Sequence, residues 1–112
     1  MSKDQFPLLP GTLDMLILKA LERDSMHGFG LSLRLRELSR QVFRVEMGSL
    51  YPALCRLEGG GLIRGEWNVS EANRKARYYS LTAAGRKHLS AEIARWDNLS
   101  ATINAMVRPT SP

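Results

Sequence analysis

A mainly α fold with a small β-hairpin is what the pattern of this 112-residue chain predicts. Three observations carry that expectation. Leu50, Leu54 and Leu57 recur at i, i+4 and i+7, the stripe of a short helix with one buried face. Gly59-Gly60-Gly61 then stops that helix with residues free to take φ > 0. Two strand-like runs follow, residues 62–67 and 77–81, and the approach to the second is the basic run Asn73-Arg74-Lys75-Ala76-Arg77. A short helix feeding a hairpin with a basic tip makes a winged helix-turn-helix, here followed by a long helix with a dimerisation pattern. On this reading residues 1–82 form the winged domain, 83–108 the C-terminal dimerisation helix and 109–112 a disordered tail.

The elements can be justified in order. After Pro10-Gly11-Thr12 a first helix is expected over residues 13–22, with Leu13, Leu16, Ile17, Ala20 and Leu21 on its core stripe. Met15 and Leu18 point the other way, toward a neighbouring subunit. Ser25 is the expected cap of a second helix over residues 27–39, whose Leu31, Leu35 and Leu38 face in. Gly28 and Gly30 weaken that helix by about 1 kcal/mol each relative to Ala, which makes sense if helices cross closely at its start. Residues 42–45 are extended, the candidate third strand of a small sheet.

Ser49 as N-cap of the third helix would place Pro52 at N3, where its missing N–H costs no hydrogen bond. The outer face of that helix then carries Ser49, Pro52, Cys55 and Arg56, with Tyr51 on its shoulder. The connection over residues 68–76 is long and polar for a tight turn, as a wing would be. Thr82 is the expected N-cap of the last helix, which runs to about residue 107 and stops before Pro109. Leu89, Trp96 and Ile103 recur at seven, as do Leu99 and Met106 with an offset of three, an a/d seam that Glu92 interrupts. With Ile93, Met15 and Leu18, these residues form the expected homodimer surface.

Composition bounds the function. Net charge is +5, and the surplus is local: between Glu71 and Glu92 stand Arg74, Lys75, Arg77, Arg86 and Lys87 with no acidic residue, while the rest of the chain is balanced. A local surplus suits a polyanionic partner. A single cysteine excludes an internal disulfide and a cysteine-rich zinc site. No apolar run reaches membrane-span length and the start resembles no signal peptide, so cytoplasm is the expected compartment. His27 and His88 fall on different helices, and no nucleophile elbow, phosphate loop or carboxylate pair is present. Neither enzyme, cofactor nor metal is therefore expected.

Double-stranded DNA is the expected partner. The start of a recognition helix offers its residues to base edges and phosphates. Ser49 and Tyr51 are hydroxyl donors suited to phosphate, and Arg56 suits phosphate or guanine. Arg74 and Lys75 would neutralise phosphates and add affinity without sequence information. Arg77 is the weaker wing candidate, because it begins the strand and alternates toward the sheet. The rival is a winged-helix module that turns its basic wing on a protein. DNA binding requires the wing and the helix start on one face.

Several segments together carry a likeness: Leu9-Pro10-Gly11-Thr12-Leu13-Asp14, His27-Gly28-Phe29-Gly30, Gly48-Ser49-Leu50-Tyr51-Pro52-Ala53-Leu54, Arg56-Leu57-Glu58 and Tyr78-Tyr79-Ser80-Leu81-Thr82-Ala83-Ala84-Gly85. They resemble the PadR family of bacterial transcription regulators over nearly the whole chain, in its short form without an extra C-terminal domain. The resemblance implies a homodimeric repressor on an inverted-repeat operator, with Ser49 and Tyr51 at the DNA backbone and Arg74 and Lys75 on a basic wing. It also implies release by a small aromatic effector. Trp96 occupies a place similar to the tryptophan that stacks flat ligands in some short members, and it suits dimer packing equally well. Phe29, where relatives often carry tyrosine, and Cys55 on the reading face depart from the pattern.

Overall fold

The computed structural model describes residues 11–69 and 71–108; the expected tail and the opening Leu9-Pro10 lie outside them. In chain order the elements are α1 (Thr12–Ala20), β1 (Met26–His27), α2 (Gly28–Leu38), α3 (Met47–Gly59), β2 (Ile63–Val69), β3 (Lys75–Leu81) and α4 (Ala83–Val107). The strands form one antiparallel sheet in the order β1-β3-β2. Helices and hairpin form the expected winged helix-turn-helix, with α4 extending from it.

Helix α3 and the hairpin hang on local chemistry. Leu50, Ala53, Leu54 and Leu57 are buried, and α3 ends as its glycines predict. Gly61 takes φ 77°, while Leu62 N–H donates to the Leu57 carbonyl and Gly61 N–H to that of Glu58, both at 3.0 Å. These bonds satisfy carbonyls a helix end leaves open. The chain turns directly into β2, whose Ile63 pairs with Leu81 and whose Val69 pairs with Lys75. Both strands run farther toward the tip than expected, so Lys75 stands on β3. The expected cap of α4 is present, with the Thr82 hydroxyl accepting from Gly85 N–H at 2.9 Å.

Several expectations are corrected. The third strand is β1, with Met26 opposite Tyr79 and His27 opposite Tyr78. Residues 42–45 form no strand: Arg40 and Gln41 take φ 55° and 71°, and the Ser39 hydroxyl accepts from Phe43 N–H at 2.8 Å, holding the loop against the end of α2. Pairing of β1 displaces Ser25 from the cap of α2, and His27 takes that place, its Nδ1 accepting from Gly30 N–H at 3.0 Å. Helix α3 begins at Met47 with Glu46 as N-cap, not at Ser49. The earlier start lets Met47 pack against the core and against Gly28. Pro52 thus lies inside the helix, on its exposed side, where water can reach the carbonyl that its missing N–H leaves unbonded.

The core gathers Ile17, Leu18, Leu31, Leu35, Leu50, Leu54, Leu57, Ile63, Tyr79 and Leu89. Full burial of such an aliphatic side chain contributes roughly 1.5–3 kcal/mol. Two residues expected at a subunit interface are in this cluster: Leu18 is 0% and Leu89 2% exposed, both covered by the chain itself. Helix α1 is enclosed on more than one side, since α2, α3 and α4 all pack on it. Leu38, expected inward, is exposed where the end of α2 runs past the core.

Candidate nucleic-acid interface

The site begins where α2 and α3 cross. A Cβ built on Gly28 would lie 3.2 Å from both Met47 Cε and Tyr51 Oη, so only glycine admits this contact without movement. The expectation of a close crossing at the start of α2 is met. It leaves the Tyr51 ring against α2, half exposed. Ser49 is exposed on the preceding part of the same helix.

Opposite this crossing stands the hairpin. A groove of about 650 Å³ separates them, lined by His27, Tyr51, Trp67, Arg74, Lys75 and Arg77 among others. Four of the sequence-predicted residues, Tyr51, Arg74, Lys75 and Arg77, thus share one concave face. Ser49 and Arg56 lie outside that lining. The Arg56 guanidinium donates to Asp14 Oδ1 on α1 at 2.7 Å. Its side chain is largely exposed, so the pair contributes about 0–1 kcal/mol and is readily exchanged for another anion.

Arg77 is placed differently from Lys75. Its Nη2 donates to Glu58 Oε2 at 2.5 Å, and its guanidinium carbon lies 5.8 Å from the centre of the Trp67 ring. The hydrogen bond to Glu58 raises the Arg77 pKa above its ordinary value. Beneath the pair, burial pushes the Tyr79 phenol up.

Sequence reasoning missed four members of this neighbourhood. His27 and Phe29 reach the groove from the start of α2, Trp67 from β2, and Glu58 underlies it. The exposed aromatic Trp67 within the strand run was a usable signal, since it stands directly opposite Arg77 in the hairpin and so shares its face of the sheet. No local signal links Glu58 to Arg77.

The residues expected at a subunit interface divide. Leu18 and Leu89 are core, whereas Ile93, Trp96, Leu99, Ile103 and Met106 form an exposed row along α4. Met15 is partly buried and, with Trp96 and Leu99, lines a cavity of about 480 Å³ between α1 and α4. Cys55 is a free, exposed thiol on the outer side of α3. Among the described residues, no three His, Cys, Asp or Glu side chains are grouped to hold a metal. No described helix is long and apolar enough to cross a membrane.

Residues 17–91 match the profile of the transcriptional regulator PadR-like family. The chain is 38% identical over 80 residues to the transcriptional regulator Rv3488 of Mycobacterium tuberculosis, an alignment covering 71% of each. Its structure is similar to a transcriptional regulator from Clostridium thermocellum, with a TM-score of 0.79 at 26% identity, covering 88% of this chain and 92% of that one. It is likewise similar to a PadR-like transcriptional regulator from Bacillus cereus, with a TM-score of 0.76 at 29% identity, covering 89% of this chain and 95% of the other.

Proposed function

The chain belongs to the PadR-like family of transcriptional regulators, and from that premise we propose that it works as a homodimeric repressor on an inverted-repeat operator. The observation that carries this reading is the groove in which Tyr51 of α3 faces Arg74 and Lys75 of the wing. A protein-interaction wing has no need of that shared face. In the proposed complex the N-terminal part of α3 enters the major groove, where Ser49 and Tyr51 meet backbone or bases, while Arg56, in the last turn of α3, reaches DNA by exchanging Asp14 for a phosphate. Arg74 and Lys75 neutralise phosphates beside it.

The division of labour follows the proposed domains: residues 1–82 read DNA, and residues 83–108 join two copies. The exposed row of Ile93, Trp96, Leu99, Ile103 and Met106 supports the second role, because an apolar strip of this length on a small domain calls for a cover. The cavity beside Trp96 supports a small aromatic effector as the ligand that releases DNA.

The test is binding to the duplex upstream of the protein's own gene across a salt series. If a dimer neutralises roughly six phosphates, log K falls against log salt with a slope of about −5. Arg74→Ala with Lys75→Ala should flatten that slope while leaving circular dichroism and melting unchanged. An unaltered slope would remove the wing from the interface. Failure of the wild-type protein to bind any duplex would favour the protein-interaction module.

A further inference from the structure

Arg77's charge is already matched inside the fold. Glu58 Oε2 accepts from the Arg77 guanidinium at 2.5 Å and also from Gly65 N–H at 3.2 Å. Glu58 lies in the last turn of α3, Gly65 within β2 and Arg77 within β3. One carboxylate therefore ties the reading helix to both strands of the wing. The sequence leaves room for this tie: a Cβ on Gly65 would lie 2.6 Å from Arg77 Nε, so any larger residue must displace the guanidinium. Trp67, directly opposite Arg77 in the strand register, holds its other side. Both members of the ion pair keep only about a third of their side-chain surface exposed, 33% and 32%.

We propose that Arg77 is a positioning residue and not a phosphate contact. Together, Glu58 and Arg77 set the pitch of the wing against α3, so that Arg74 and Lys75 reach the backbone while the helix occupies the groove. This inference rests on the DNA-binding reading. Its physical reason is the fate of Glu58. Were Arg77 to swing out to a phosphate, a half-buried carboxylate would keep only the Gly65 N–H and lie without a counter-ion beneath the wing and next to a polyanion.

Two measurements test it. In DNA-free protein, Arg77→Met should increase the amide relaxation exchange of the wing strands and leave the α1 and α2 amides unchanged; unaltered wing relaxation overturns the proposal. On DNA, Arg77→Met should lower affinity about tenfold or more and flatten the salt slope only through Arg74 and Lys75, so that in the Arg74→Ala, Lys75→Ala background it should flatten the slope no further. A slope shallower by a further 0.9 or so per half-site in that background would make Arg77 a phosphate contact and overturn the proposal.

Glu58→Gln supplies a sign test and a second variant should Arg77→Met melt too low. Removing an acidic charge near DNA tightens binding on electrostatics alone, whereas loss of the brace weakens it. Tighter binding by Glu58→Gln would defeat the brace. Wild-type protein that binds no duplex would defeat the DNA-binding reading instead, and wing relaxation would still decide whether the brace exists.

Discussion

Helices α3 and α4 both carry large apolar side chains at helical spacing, yet they end in opposite environments. Leu50, Leu54 and Leu57 of α3 are at most 4% exposed, whereas Trp96, Leu99 and Ile103 of α4 are 42%, 52% and 47% exposed. The difference lies in what faces them. Helix α3 is packed on by α1, α2 and β2, while α4 touches the rest of the chain through α1 and β3 and then runs beyond the cover of its neighbours. A periodic apolar stripe states that a face is suited to burial; it does not state which chain buries it. Leu89 marks the boundary, since it shares the α4 seam pattern but is core.

The largest expected effect comes from breaking the exposed side of this comparison. Leu99→Asp with Ile103→Asp alters four side chains in a dimer, each worth about 1.5 kcal/mol or more of burial, so self-association should weaken by about 6 kcal/mol. Sedimentation should show monomer, and urea unfolding of that monomer should stay cooperative. An unaltered dimer would place the seam on another face.

The covered side gives the next effect. Leu54→Ala should cost about 2–5 kcal/mol of folding stability, measured as a lower urea midpoint. It should leave the dimerisation constant of the folded fraction unchanged. A cost below about 1 kcal/mol would mean that α3 is less firmly seated than its burial implies.

What the sequence disclosed follows the same division between local and distant causes. The α3 stripe, its glycine stop, the Thr82 cap and the two hairpin strands are written within a few residues of one another. Each was legible. The third strand was not, because Met26 and His27 become a strand only by meeting Tyr79 and Tyr78, some fifty residues away. Their pairing then moved the cap of α2 from Ser25 to His27. Leu18 looked outward on a helical wheel because the wheel does not know that α4 closes over α1. At the site, the sequence stated only that DNA binding needs the helix start and the wing on one face; Tyr51, Arg74 and Lys75 line one groove. Glu58 could not have been paired with Arg77 from sequence, since their approach depends on the angle between a helix and a hairpin.

The smallest expected effect concerns Trp96, where the exposed half of α4 meets α1. The indole borders the cavity of about 480 Å³ that also touches Met15 and Leu99, an apolar wall flanked by the charged Glu92 and Arg95. A planar aromatic ligand seated there would gain apolar burial plus stacking, the latter worth about 0.5–1.5 kcal/mol. The rival role is packing across the dimer axis, which would fill the same space with the partner's side chains. Fluorescence separates the two. An effector site predicts saturable quenching by planar aromatics, a Kd raised roughly threefold to tenfold in Trp96→Ala when read by calorimetry, since that variant has lost the reporter, and weaker operator binding when the site is filled. Trp67 contributes a second signal from the wing, where Arg77 lies over its ring. The titration therefore belongs in Trp67→Phe, whose remaining fluorescence comes from α4. No saturable quenching across a varied panel would assign Trp96 to the seam, and Trp96→Ala should then weaken the dimer instead of the ligand.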